Sequence, residues 1–330
     1  MKNCIVHSLI ILLLLAAFDT NAQQRTLWSQ HVFNDFAINP AVAGAKEYVP
    51  VHISARRQWM GIKDAPVAQV LYSHGYVGYN MGIGGLIINE SAGPTRRIGI
   101  NVAGTYHLQL TKNRGPRDRG KVLSFGLAGS LSQSRVDNSV LTTFEPDDQA
   151  ILRGYDHSLI PDAHAGLYFH DGNKYYAGLS VYNLIQSKTD LSNTSLGIIN
   201  NLVRTYYLMG GYNWEINPDF NYQPSVIFRM IEATPFQFDI QNRFLYKKKY
   251  WATVGYRHLD AVVVGAGFQV NVFRFGYTYD AILSDIRQYS SGSHEFSLTL
   301  MFLSDHIQSI GRPGDRIYRK KEFRPAIIDF

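Results

Sequence analysis

From Phe236 to Leu245 the chain reads Phe-Gln-Phe-Asp-Ile-Gln-Asn-Arg-Phe-Leu. An extended backbone sends successive side chains to opposite faces. Phe236, Phe238, Ile240 and Phe244 therefore share one side, and Gln237, Asp239, Gln241 and Arg243 share the other. The same alternation puts Val262, Val264, Ala266, Phe268 and Val270 opposite Gly265, Gly267 and Gln269. It sets Phe273, Phe275, Tyr277 and Tyr279 against Arg274, Thr278 and Asp280, and Phe296, Leu298, Leu300 and Phe302 against Glu295, Ser297 and Thr299.

The pattern predicts about fourteen strands, near 49–57, 67–76, 80–89, 96–110, 121–133, 163–170, 174–184, 203–214, 220–231, 236–246, 249–258, 261–270, 272–280 and 295–302. Few helical stretches remain to cover the apolar faces, so lipid is the expected cover. The fold expected is all-β: a transmembrane antiparallel up-and-down β-barrel of about 14 strands, an even count as single-chain bacterial barrels have. If both ends lie in the periplasm, the long connections 134–162, 185–202 and 281–294 face outward, and the short ones at 77–79, 171–173 and 247–248 face inward. Short inner turns and long outer loops characterise such barrels; the basic inner turn 111–120 is the exception. A soluble β-sandwich alternates too, and strand length, export signal and loop asymmetry together argue against it. No segment after the amino terminus has 18 consecutive apolar residues, which excludes a helical bundle in the membrane.

The amino terminus sharpens the compartment. Lys2, an apolar run centred on Leu9 to Ala17, and the small residues of Thr20-Asn21-Ala22 read as a signal peptide over residues 1–22. The run is shorter than the roughly 20 residues a spanning helix needs. The expected organisation continues with a periplasmic amino-terminal segment at 23–48, the outer-membrane barrel at 49–303 and a basic periplasmic tail at 304–330. The only cysteine, Cys4, lies within the signal, so the processed chain has no thiol, disulfide or Cys-based metal site. Aromatic residues make up 13% of the chain, enough to furnish girdles at both membrane interfaces. The net charge of +6 concentrates in 112–121, with Arg114, Arg117 and Arg119, and in 312–324. No nucleic-acid-binding signature accompanies these runs and export removes the target, so nucleic acid is not an expected partner. The tail reads as a solvated extension.

Candidate chemistry is sparse. Ser291-Gly292-Ser293-His294-Glu295 holds the ingredients of nucleophilic catalysis, but strand neighbours point to opposite faces and cannot form a triad among themselves. His294 is expected to start the last strand or hydrogen-bond within it. Glu145, Asp147 and Asp148 lack the glycine-punctuated frame of a calcium loop and read as a solvated acidic loop. Gly82, Gly84 and Gly85 are followed by no Lys-Ser/Thr pair and form no phosphate loop; they suit bending or close packing against a plug. His52, His74, His107 and His170 fall on separate strands, as lumen or interface residues. Arg56, Arg57, Gln58 and Trp59 at the end of the first strand suit either a partner contact or, for Trp59, a membrane-interface anchor. No cofactor is expected.

The run Phe36-Ala37-Ile38-Asn39-Pro40-Ala41-Val42-Ala43-Gly44 resembles the opening of the PorP/SprF family, outer-membrane proteins of the type IX secretion and gliding system of Bacteroidetes. Arg57-Gln58-Trp59 with Gly61 and Ala65-Pro66, then Gly82 to Gly85, Gly93-Pro94, Pro161-Asp162 with Gly166, Gly178-Leu179-Ser180 with Asn183-Leu184, Pro224-Ser225 and Gly292-Ser293-His294-Glu295 follow in the family's order. The resemblance covers about 30–302, with departures at His31 to Phe33 and in the tail after Leu303. It implies a non-enzymatic barrel, with gliding motility among the processes its family serves, that supports secretion, retention or surface anchoring of a secreted adhesin or its C-terminal sorting domain. Periplasmic secretion or motility components and the lipid bilayer would be its other partners. Asn39, Pro40, Gly44, Arg57, Gln58, Trp59, Gly292, Ser293, His294 and Glu295 are the candidate partner or structural residues. A passive channel for small solutes is the alternative.

Overall fold

A computed structural model describes residues 26–111, 120–137, 155–190, 199–232, 234 and 236–303. The signal peptide, the acidic run at Glu145, most of the basic turn 111–120 and the tail 304–330 lie outside the described residues.

Fourteen strands close into one antiparallel barrel, each paired with its chain neighbour and the last with the first. In chain order they are β1 (Tyr48–Arg57), β2 (Val67–Gly78), β3 (Met81–Ala92), β4 (Thr95–Gln109), β5 (Lys121–Asp137), β6 (Tyr155–Asp171) and β7 (Tyr175–Tyr182). There follow β8 (Thr205–Tyr212, continued as Trp214–Asn217), β9 (Phe220–Ile231), β10 (Gln237–Tyr246), β11 (Tyr250–Arg257), β12 (Ala261–Val270), β13 (Phe273–Ile282) and β14 (Ser293–Leu303). A short hairpin, Lys188–Asp190 with Ile199–Asn201, sits in the β7–β8 connection.

Alternation decides what faces outward. On β10, Ile240 is 44% exposed and Phe244 48%, whereas Asp239, Gln241 and Arg243 are buried. β12, β13 and β14 sort as their sequences require, with Gln269, Arg274, Thr278, Asp280, Glu295 and Thr299 turned inward. The outward apolar residues form a continuous belt with aromatics towards its edges, including Tyr79, Trp214, Phe220, Tyr246 and Tyr250 at one end. A ten-residue strand tilted about 40° spans roughly 25 Å, the height of a hydrocarbon-facing band. No helix among the described residues is long and apolar enough to cross a membrane.

The connections differ at the two ends. At the end where β1 begins and β14 finishes, strands turn tightly, as at Tyr79-Asn80 and Lys247-Lys248, where both central residues adopt positive φ. That geometry matches the twist of the flanking strands. At the other end lie 58–66, the described parts of the β7–β8 connection at 183–190 and 199–204, and 283–292, the last containing a 3-10 turn at Asp285–Gln288. β6 starts at Tyr155, eight residues before the expected 163, because Pro161-Asp162 reads as a turn in sequence. β7 pairs with β6 only from Ala165 onward, so Pro161 sits on a stretch flanked by one neighbour, where a residue without an N–H is tolerated.

The amino-terminal segment differs most from expectation. Residues 28–43 are buried. Instead of lying beside the barrel in the periplasm, they pass through its lumen. Inward side chains of the strands pack on this segment and hydrogen-bond to it, so it covers them.

Ile240 lies midway along β10 on the outward face, so Ile240→Arg should lower stability in lipid by about 2–4 kcal/mol. Urea unfolding titrations of the barrel refolded into vesicles measure this, and an unchanged midpoint would contradict a lipid-facing position.

Candidate functional site

The lumen has two unlike walls. β2 to β9 turn Ala68, Val70, Tyr72, Leu86, Ile88, Ala103, Ala128, Tyr168, Tyr182, Met209 and Ile227 inward. β1 and β10 to β14 contribute Arg56, Asp239, Arg243, Arg257, Arg274, Asp280 and Glu295. The plug is amphipathic to match. Trp28, Phe36, Ala37, Ile38, Ala41, Val42 and Ala43 join one hydrophobic cluster with the apolar wall, and Phe33 packs on Trp251 and Leu245. Ser29, Gln30 and Asn34 face the charges.

Ser29 is the centre of the polar side. Its N–H donates to Glu295 Oε2 (2.7 Å) and its hydroxyl to Asp280 Oδ2 (2.7 Å), while the hydroxyl oxygen accepts from Arg56 Nη1 (2.6 Å) and Arg257 Nη2 (3.0 Å). Gln241 Nε2 donates to its carbonyl. One plug residue thus binds β1, β10, β11, β13 and β14. Around it Asp280 accepts ion pairs from Arg56 (2.7 Å) and Arg257 (2.8 Å), Arg257 also pairs with Asp239 (2.9 Å), and Arg56 lies 3.5 Å from Glu295. The Asp280 side chain is 1% exposed. Charges so deep are held only because each has an oppositely charged or hydrogen-bonding partner. Arg243 and Arg274 instead lie over the Phe33 ring, at 4.8 and 5.2 Å.

A plug without strand partners must satisfy its backbone through side chains. The hydroxyls of Tyr72, Tyr182, Ser180 and Thr105 donate to the carbonyls of Phe33, Ala37, Ile38 and Pro40. Asn39 and Pro40 make the turn. After a short helix at Asp35–Ile38, the Asn39 side chain accepts from Ala41 N–H (2.9 Å) and caps the 3-10 turn Pro40–Val42. Its Nδ2 donates to the carbonyls of Leu167 (2.8 Å) and Leu179 (3.4 Å). At Gly166 a Cβ would collide with the Asn39 side chain, and at Gly82 with the Ala43 carbonyl. Gly82 and Gly84 therefore serve the close packing expected of them, while Gly85 faces outward. Gly44 holds φ +74 and its N–H donates to His74 Nδ1 (3.2 Å), ending the plug before β1. The buried ion pair Lys46–Asp35 (2.8 Å) ties this exit back to the helix.

Arg57-Gln58-Trp59 and Gly292-Ser293-His294-Glu295, remote in sequence, meet at the barrel seam. Arg57 stands opposite His294 and Arg56 opposite Glu295 in the closing ladder. Trp59 N–H donates to Ser293 Oγ (3.1 Å), Met60 N–H to the Gly292 carbonyl (2.7 Å) and Ser291 N–H to the Met60 carbonyl (2.8 Å). Gln58 N–H turns the chain back by donating to the Pro66 carbonyl (2.9 Å). Trp59 has φ 52 and Gly292 φ 120, the conformations that let two connections clasp. His294 faces outward with its Nδ1 2.7 Å from the Tyr277 hydroxyl, whereas Ser293 and Glu295 face the lumen. The three do not assemble into a catalytic group. Among the described residues no group of three or more His, Cys, Asp and Glu side chains could hold a metal.

The residues that sequence reasoning undervalued are Ser29, Gln30, Asn34 and Arg257. Arg257 ends an otherwise apolar and aromatic strand, and Ser29 lies in a segment with no periodicity. The available signal was an excess of inward charges on β10 to β14, which requires something inside to answer it. Asp280→Ala removes the carboxylate shared by Arg56 and Arg257 and should destabilise the barrel by on the order of 3 kcal/mol. A urea midpoint in detergent gives the value; a loss under about 1 kcal/mol would mean the pairs behave as water-exposed ones.

Among solved structures, the chain is similar to the CymD monoaromatic hydrocarbon channel, with 12% identity, TM-score 0.49, and coverage of 83% of this chain and 94% of that one. A Pseudomonas aeruginosa FadL homologue shares 9% identity at TM-score 0.46, over 80% of this chain and 92% of that one. The Pseudomonas putida toluene transporter TodX shares 10% at TM-score 0.43, over 82% and 94%. No curated protein matches the chain. The family model described as type IX secretion system membrane protein PorP/SprF matches residues 20–300, a span that takes in the plug and all fourteen strands but for the last three residues of β14. With a membrane-type barrel closed around its own amino-terminal segment, the chain belongs to the PorP/SprF family of type IX secretion system membrane proteins.

Proposed function

We propose that this chain is a non-enzymatic scaffold of the outer membrane that holds a secreted surface adhesin, or its C-terminal sorting domain, at the cell surface, and that its periplasmic side contacts secretion or motility components. The family supports a role in type IX secretion. The single observation that carries the choice of scaffold over passive channel is the plug. Residues 28–43 are buried within the lumen, tied to the wall by Ser29 at one level and Asn39 at another. A closed lumen leaves the connections 58–66 and 283–292 as the surface on which a partner acts, and loops on a rigid barrel are suited to that work. The clasp between Trp59–Met60 and Ser291–Ser293 fixes the two together, so part of the docking surface is ordered before a partner arrives and loses less entropy on binding.

Purification in mild detergent from cells making type IX substrates should recover the barrel with a large exported protein, and in planar bilayers the barrel should conduct no ions. Gly82→Leu with Gly166→Leu, which forces the plug off the wall, should create conductance. Recovery of the barrel without any exported protein, together with steady conductance of the unaltered chain, would favour the solute channel instead.

A further inference from the structure

The outward belt is not even. Over β11 to β14 and β1 it sinks into an apolar hollow of about 550 Å3. One cross-strand row accounts for it: Ala266 on β12 stands opposite Tyr277, Tyr277 opposite Phe296, and Phe296 opposite Ala55 on β1. The two alanines leave low ground beside tall rings, and Tyr250 and Phe268 border it towards the tight turns. At that border the chain turns through Lys247 and Lys248, and Lys249 leads into Tyr250, the first residue of β11. All three lysines are exposed. Lys247 and Lys248 hold φ 50 and 54, a pair of conformations that Asn-Gly adopts at least cost, so the backbone does not account for lysine at either place. The Lys247 ammonium lies 5.2 Å from the centre of the Tyr246 ring, and the Asp219 carboxylate offsets part of its charge. Lys248 and Lys249 extend the positive charge beside it.

We propose that the hollow and the Lys247–Lys249 turn together bind an anionic phospholipid of the inner leaflet, with one acyl chain lying over Ala55 and Ala266 and the phosphate meeting the lysines. The proposal is independent of the scaffold reading and needs only the orientation in which tight turns face the periplasm, as they do in outer-membrane barrels. The dimensions agree. Ala266 is level with Ala252 on β11, three residues from Lys249. That is about 10 Å along the strand and about 8 Å along the membrane normal at a tilt of about 40°, or roughly half the depth of one leaflet's hydrocarbon. A lipid whose headgroup sits at the lysines therefore brings the upper half of its chains to the hollow. The chain passes from hydrocarbon to hydrocarbon, so its burial brings no hydrophobic gain; a hollow adds dispersion contacts on several sides. Discrimination among lipids comes from charge, because lysines at the membrane surface attract anionic headgroups. The phosphates of outer-leaflet glycolipids lie at the opposite end of the strands, away from this turn.

Native mass spectrometry of the full chain in detergent, titrated separately with phosphatidylglycerol, phosphatidylethanolamine and lipid A, tests the assignment. One phosphatidylglycerol should be retained at a lipid concentration several-fold below that needed for the other two. Lys247→Asn with Lys248→Gly gives the turn the residues its backbone prefers, so the barrel should fold, as heat-dependent gel mobility checks. Its retention of phosphatidylglycerol should weaken about five-fold for each cation removed. Ala266→Phe fills the hollow with an apolar side chain that lipid tolerates, and it should weaken that retention too. Gly104→Leu, which enters open space in a separate outward hollow over β4 to β7, should leave it unchanged. Undiminished retention in the lysine variant or in Ala266→Phe overturns the site. Equal retention of phosphatidylethanolamine overturns the anionic headgroup, and a preference for lipid A overturns the inner leaflet as its source. A fall with Gly104→Leu as large as with Ala266→Phe overturns the placing of the chain.

Discussion

The ladder between β1 and β14 joins ten residue pairs, from Tyr48–Leu303 to Arg57–His294, and the rest of the molecule depends on it. Without it the sheet has two open edges, each a row of backbone groups that hydrocarbon cannot satisfy. With it every strand has two neighbours, and the inward faces enclose a space sealed from lipid. The same ladder sets Arg56 beside Glu295, and β13 beside β14 brings Asp280 within reach of Arg56. Closure thus creates the buried charges as well as the enclosure. Those charges need an answer from inside the lumen, and Ser29 supplies one for four of them.

Apolar burial and hydrogen bonding hold the plug by different physics. Burial against Val70, Tyr72, Leu86 and Met209 is strong but non-directional, and it alone would let Phe36, Ile38 and Val42 slide along the wall. Position comes from the directional contacts. Ser29 sits among partners on five strands, Asn39 binds the carbonyls of two neighbouring strands, and Asp35 is paired with Lys46. Buried ion pairs add little net stability once desolvation is counted. Their effect here is to make one register of the plug better than its neighbours, since a one-residue slip would leave Arg56 and Arg257 without the serine hydroxyl between them.

Most of the barrel was legible in its sequence because period-two alternation is a local property. β9 and β12 begin and end where the pattern puts them, and the outward and inward sets of β10, β13 and β14 follow from parity alone. β6 was not legible in full: Pro161-Asp162 carries a turn signature that the strand overrides by placing the proline where one side has no ladder. The plug was not legible as a plug. Trp28, Phe33, Phe36 and Ile38 are interrupted by His31, Asn34 and Asp35 at no regular interval, because an irregular segment surrounded on all sides has no solvent face to impose a period. The glycines were its trace. Gly82 and Gly84 stand at inward positions of β3 where side chains would ordinarily fill the lumen, and their bareness matches the bulk of Ala43 and Phe36. The motifs at Arg57 and Gly292 were visible singly, but their meeting follows from closure, which no local pattern contains.

A plug gripped by side chains is a different object from one that pairs as a strand. A strand would add its own edge and invite further pairing within the lumen, whereas residues 28–43 make a helical turn, a 3-10 turn and carbonyls that end on wall hydroxyls. Each such bond can be exchanged for water at modest net cost, while the ladder between strands cannot be opened in lipid at all. The wall is therefore the rigid part and the plug the part whose hold is a sum of separable contacts. Thr26 is held by Glu90, Trp28 packs in the apolar cluster, and Ser29 is then gripped by side chains of five strands before the contacts at Gln30, Phe33 and Asn34 are reached. The end of the lumen that holds Glu90, Arg56 and Asp280 thus carries the densest set of charged hydrogen bonds to the plug.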